Sequence, residues 1–379
     1  MTNSIKLFAS ASGVAIALIG ASPAFAVGTT AGTDIVNTAT VNYSVNSVSQ
    51  TAITAQNTLR VDRRVTVSVV ELGNVTTSVT PGQGNVAGTP QAATAFTVSN
   101  LSNAPIDIGL TATNFAGGAA PHGGTDVFDP TSPYTFYIES GTVAGFDPTD
   151  TLVTYLDQIP ADGTRTVYVV TAIPTTVTNG QVAAVHLTGT AREADVAGTQ
   201  GAVITATGGP NGQLTTETVL FDAAGTAAGD VANDGRSSDD DDYTVQAPVL
   251  TVTKLSRIIA DPVNLVTAGA PDNVSAVANA NAKAIPGAYV EYCITVANAA
   301  GGATATNVAI SDILSNLALT PVTYVSAFGV YEGGTVASGV CSGGTNTGAF
   351  NSTTSTVTGS LGSIAAGTTR AVYFRVTIN

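Results

Sequence analysis

Leu156-Asp157-Gln158-Ile159, followed by Arg165-Thr166-Val167-Tyr168, has a counterpart far down the chain: Leu361-Gly362-Ser363-Ile364, followed by Arg370-Ala371-Val372-Tyr373. The Leu-to-Arg separation is nine residues in both. Upstream, Thr97-Val98-Ser99-Asn100 matches Thr295-Val296-Ala297-Asn298, and each closes an apolar run. The copies also open alike, at Val65-Thr66-Val67-Ser68 and Leu250-Thr251-Val252-Thr253. Matches that recur in the same order mark a duplicated structural unit. Unit A spans 61–195 and unit B 248–379. Each is a series of short alternating runs divided by Gly, Pro, Asn and Asp, the pattern of an antiparallel β-sandwich. Sustained helical periodicity is nearly absent; Asp312 to Leu317 has room for one turn. The predicted class is all-β, with two tandem sandwiches preceded by a strand segment.

That segment occupies 27–60. From Thr30 to Val45 the chain alternates, with Ile35, Ala39, Val41, Tyr43 and Val45 on one face and Thr38, Thr40, Asn42 and Ser44 on the other. The period of two predicts a half-buried strand. A second short strand is expected over Ala52 to Leu59, after a polar turn at Asn46 to Gln50. Between the units, 196–247 is rich in Gly, Ala and Asp. It reads as an acidic connector, ordered in part, with at most two short strands including Ala202 to Ala206.

The first 26 residues have the form of a secretory signal peptide: Lys6, an apolar core from Val14 to Ile19, and the small-x-small site Ala24-Phe25-Ala26. The expected location is extracellular, at the cell surface. Of 379 residues only 10% are charged, with 12 basic against 26 acidic; there are 40 Gly, 16 Pro and no Trp. Thr and Val suit strands, and Gly with Pro supplies turns. The acidic balance argues against nucleic acid, which demands clustered Lys and Arg. No later stretch is long and apolar enough for membrane insertion.

Unit B resembles a bacterial surface-protein repeat, the domain of unknown function eleven. The matching residues are Leu250-Thr251-Val252-Thr253-Lys254, Tyr292-Cys293-Ile294-Thr295-Val296-Ala297-Asn298 and Ala305-Thr306-Asn307-Val308-Ala309-Ile310-Ser311-Asp312. Unit A looks like a diverged relative. The resemblance implies immunoglobulin-like sandwiches in secreted adhesins and cell-wall proteins, with no shared catalytic residue to carry over.

The residues offer little chemistry for catalysis. His122 lies in a Pro-His-Gly-Gly loop and His186 alternates within the strand Val182 to Leu187; neither has metal-ligand spacing. Nucleophile-elbow and phosphate-loop motifs are missing, and no enzyme activity, catalytic residue or required cofactor is expected. Ca²⁺ is the one candidate ion. Asp230, Asp234, Asp239 and Asp241 fall near the ligand positions of a twelve-residue calcium loop, although Ala232 breaks the pattern; a solvated acidic linker is the plainer reading. Lys254, Asn379 and Glu291 could form a Lys–Asn cross-link with an assisting acid, against the plainer reading of an exposed strand lysine. Cys293 and Cys341, the only cysteines, are expected to form a disulfide in an exported chain.

Two functions of different class follow. One is a structural subunit of an extracellular filament, layer or matrix; the other is a monomeric adhesin or binding module with loop-borne specificity. The sequence carries no sorting motif or hydrophobic tail, which favours retention by assembly. Unit A continues past its Arg165-Thr-Val-Tyr strand into another strand, Val182 to Thr190, whereas unit B has no equivalent. The expected partner is therefore a second copy, joined head to tail. Ile35, Ala39, Val41, Tyr43 and Val45 would form the donor strand that completes unit B. Other cell-surface components are the further partners considered.

Overall fold

The structure is a computed structural model that describes residues 28–131, 133–314 and 321–379. The signal peptide, 1–26, lies outside the described residues. The described chain is all-β and contains no helix. Asp312 and Ile313, where one helical turn was expected, are strand, and 315–317 lie outside the description.

Nineteen strands matter here. The N-terminal segment supplies β1 (Asp34–Val41) and β2 (Ile53–Arg60). Unit A contains β3 (Val67–Glu71), β4 (Thr77–Val79), β5 (Ala92–Asn100), β6 (Ile106–Asn114) and β7 (Thr135–Ile138). It continues with β8 (Thr151–Val153), β9 (Tyr155–Ile159), β10 (Thr164–Thr171), β11 (Val182–Arg192) and β12 (Arg236–Val245). Unit B contains β13 (Leu250–Ala260), β14 (Tyr289–Asn298), β15 (Ala305–Ile313) and β16 (Val330–Ala337). It ends with β17 (Ala349–Asn351), β18 (Thr356–Ile364) and β19 (Thr369–Ile378).

In unit A one sheet runs β8-β7-β10-β5-β3 and the other runs β9-β6-β11-β12-β4. Their inner faces meet in a core where Val67, Val69, Phe96 and Val98 pack against Ile106, Ile108, Val185, Leu187 and Tyr243. Strand alternation drives this packing: along β5 every second residue is buried. Unit B is built the same way, with β13-β14-β19-β16 facing a three-stranded sheet, β15-β18-β17. Ile294, Val296, Val330, Val372 and Phe374 pack there against Val357, Leu361 and Ile364.

Two expectations need correction. The connector 196–247 is not a spacer, because β12 lies inside it and pairs along its length with β11. Its run of aspartates hides an ordinary buried pattern: Tyr243 and Val245 enter the core, while Ser237 Oγ and Asp239 Oδ2 accept backbone N–H groups from Val69 and Glu71 of β3. Ala202 to Ala206 forms no strand, only a bridge from Val203 to Arg192; Thr218–Leu220 pairs instead with Arg63–Val65. The second correction concerns β1. Its exposed pattern runs from end to end, so the expected half-burial is absent. The reason is that β1 pairs only with β2, and no second layer covers either face.

Candidate assembly interface

The sequence repeat is also a repeat of register. Val69 faces Val98 in unit A as Val252 faces Val296 in unit B. Arg165 faces Val98 as Arg370 faces Val296, and Ile106 faces Ile159 as Ala305 faces Ile364. The Asn closing each apolar run does the same work in both. The Asn100 amide donates to the carbonyls of Ala104 and Ile159, at 3.0 and 2.9 Å. Asn298 donates to those of Ala303 and Ile364, at 2.8 and 3.0 Å. Unit A can therefore be used as a template for unit B, strand by strand.

The template exposes a difference at one edge. In unit A, β6 pairs on its outer side with β11, which pairs in turn with β12. The equivalent of β6 is β15, and β15 pairs with β18 alone. No described strand takes the places of β11 and β12. The opposite sheet registers the loss. Gly189 of β11 lies so close to Val67 and Val69 that a Cβ there would come within 3.2 Å of either, and those two valines are 2% and 4% exposed. Their equivalents, Leu250 and Val252, are 43% and 62% exposed. Unit B thus presents an open edge two strands wide, with a strand border on one side and an apolar floor on the other. Lys254, the equivalent of Glu71, spans the opening to Asp312 at 2.6 Å and lies over the Tyr292 ring.

The N-terminal segment is a two-stranded ribbon. β1 and β2 pair over eight positions, from Asp34 with Arg60 to Val41 with Ile53. At the tip, Ser44 and Val45 face Ser49 and Val48, and Asn46 and Ser47 both take positive φ, 50° and 65°. Left-handed backbone at both central residues matches the right-handed twist of a two-residue hairpin. At the base, Arg60 Nε meets Asp34 Oδ1 at 2.7 Å, and Asn103 donates to the carbonyls of Thr29 and Asp62. Register puts Ile35, Ala39, Val41, Ile53, Ala55 and Leu59 on one face, interrupted by Asn37 and Asn57. Ile35, Val41, Ile53 and Leu59 are all exposed, as are Tyr43 and Val45 beyond the end of β1. A projecting ribbon with an apolar face is the kind of patch that marks an interaction site.

The four aspartates expected to share a calcium ion are not brought together. Asp239 and Asp241 belong to β12. Asp230 accepts the Ser238 hydroxyl at 2.6 Å, Asp234 pairs with Arg236, and Asp239 caps Glu71 of the other sheet. Burial, reinforced by the charges of Glu71 and Asp242, pushes the Asp241 carboxyl up to about 8. The cross-link residues are separated too: Lys254 bonds Asp312, Glu291 bonds Arg257 and Arg375, and Asn379 accepts from Thr323. Cys293 and Cys341 are bridged, as expected, on the face of β14 away from the sandwich core, beside Phe328 and Tyr373. The sequence reading missed β2 as part of the ribbon and β12 as part of the template. The equal lengths of β1 and β2 around a two-residue turn could have revealed the first. No family model matches this chain, and comparison with curated proteins finds no match.

Proposed function

We propose that this chain is a secreted structural subunit that polymerises head to tail. In this reading the β1–β2 ribbon of one copy docks in the open edge of unit B of the next. The observation that carries it is the fit of a two-strand ribbon to a two-strand vacancy. β11 and β12, which fill the equivalent place in unit A, are themselves an antiparallel pair of nine positions; the ribbon offers eight. One ribbon strand would extend the sheet from β15 by main-chain hydrogen bonds, and its apolar face would cover Leu250 and Val252. Covering Ile35, Val41, Ile53 and Leu59 is worth about 1.5–3 kcal/mol each, so roughly 6–12 kcal/mol before ordering costs. Those costs are reduced because the ribbon is already paired before it docks. The resemblance of unit B to bacterial surface repeats and the signal peptide support an extracellular place for the polymer.

The test is deletion of 30–60 from the mature protein. The intact protein should form filaments at high concentration, visible by negative-stain electron microscopy, and the truncated protein should stay monomeric. A synthetic hairpin of that segment should bind the truncated protein and raise its melting temperature. Val252→Asp, which places a charge on the floor of the opening, should abolish that binding. Intact protein that remains monomeric at high concentration would favour the adhesin reading instead.

A further inference from the structure

Inside unit A, one cluster lies apart from the assembly surfaces. His122 sits in the loop after Ala120, Glu71 ends β3, and Asp241 and Asp242 lie in β12. Their side chains are 12%, 9%, 3% and 0% exposed. His122 Nε2 lies 3.5 Å from Glu71 Oε2, while Nδ1 lies 3.7 Å from Asp241 Oδ1 and 3.4 Å from Asp242 Oδ2. One ligand atom from each of Glu71, His122 and Asp241 can be chosen so that all lie within 4.8 Å of one another. These separations are long for hydrogen bonds. They suit groups gathered about a common point: tetrahedral zinc at its usual bond lengths holds its ligand atoms about 3.4 Å apart.

Two further observations point to a missing cation. The Nδ1 atom of His122 and the Oδ1 atom of Asp242 are shielded from solvent and have no hydrogen-bond partner. Asp242 is fully buried and already bonds the His122 backbone N–H through Oδ2, at 2.9 Å. Among the described residues, the ion pairs of Glu71, Asp241 and Asp242 all go to this one imidazole. Even protonated, it leaves a buried excess of negative charge, which is costly unless a cation compensates it.

We propose that Glu71, His122 and Asp241 bind a divalent transition-metal ion of the zinc class, with Asp242 holding the imidazole in position. One imidazole with carboxylates suits zinc better than calcium, which takes all-oxygen sites. The ion would tie β3 of one sheet to β12 of the other and to the 120–124 loop, a structural staple for unit A that does not depend on assembly.

The test uses mature protein stripped with chelator, then titrated calorimetrically with Zn²⁺ and separately with Ca²⁺. Zinc should bind one to one and raise the melting temperature of unit A, and Co²⁺ in its place should give the visible absorption of a low-symmetry site. His122→Gln should abolish binding. Asp242→Asn, which keeps all three ligands, should weaken it by about ten- to a hundred-fold, and Asp234→Asn should leave it unchanged. Circular dichroism of each variant separates lost ligation from lost folding. Failure of the stripped wild type to bind zinc would overturn the assignment. So would undiminished binding in both His122→Gln and Asp242→Asn, or a response to calcium alone.

Discussion

Asn100 and Asn298 show how single residues define this fold. Each sits at the end of a core strand and spends its amide on carbonyls that the turn leaves without strand partners. Replacing either with Ala strands buried carbonyls, at a cost of about 1–3 kcal/mol to its own unit. Denaturant melts of Asn100→Ala and Asn298→Ala should show that loss in different units. Arg375 is a second such residue. It is 1% exposed, bonds Glu291, donates to the carbonyls of Pro271 and Asn273, and stacks over Phe328. Arg375→Ala leaves Glu291 buried with only Arg257, and unit B should lose about 3–5 kcal/mol in the same assay. The repeat made Asn100 and Asn298 readable from sequence. Arg375 was not, because its partners come from a loop a hundred residues away. The cluster around His122 was hidden for the same reason: its groups come from three segments, and no local spacing announces them.

At the scale of elements, sequence periodicity located the strands and missed some of their associations. β1 was readable as a strand, but alternation alone cannot say whether its apolar face is covered. β12 was misread because a run of aspartates looks like solvated linker. Pairing with β11 and contact with β3 give those acids partners that only the fold supplies. The 262–287 loop of unit B hangs on Asp261. Its carboxylate accepts N–H groups from Asn264, Val263 and Lys283, and these, with Asn264 foremost, hold it well below the usual carboxylate range. A group whose folded pKa is depressed stabilises above its unfolded pKa and loses that contribution as pH falls through the folded one. Proteolysis of this loop should therefore rise below about pH 4. Asp261→Asn should be cut readily at neutral pH as well. The Cys293–Cys341 bridge closes a loop of 48 residues and should contribute roughly 4 kcal/mol to unit B. A reduced and alkylated sample should show that loss as an earlier unit B transition, with unit A unmoved.

For the whole molecule, two sandwich-like units of shared register differ at one place, and the chain carries at its other end a ribbon of matching width. The duplication was plain in the sequence, as was the strand missing from unit B. The second missing strand was not, because its counterpart in unit A had been assigned to the connector. Hydrogen–deuterium exchange on assembled mature protein, compared with protein lacking 30–60, tests the central claim most directly. The account expects new amide protection in Ala305–Ile313 and in the ribbon itself on assembly, with the exposed edge of unit A unchanged. Assemblies in which Ala305–Ile313 exchanges as fast as in the truncated monomer would contradict it.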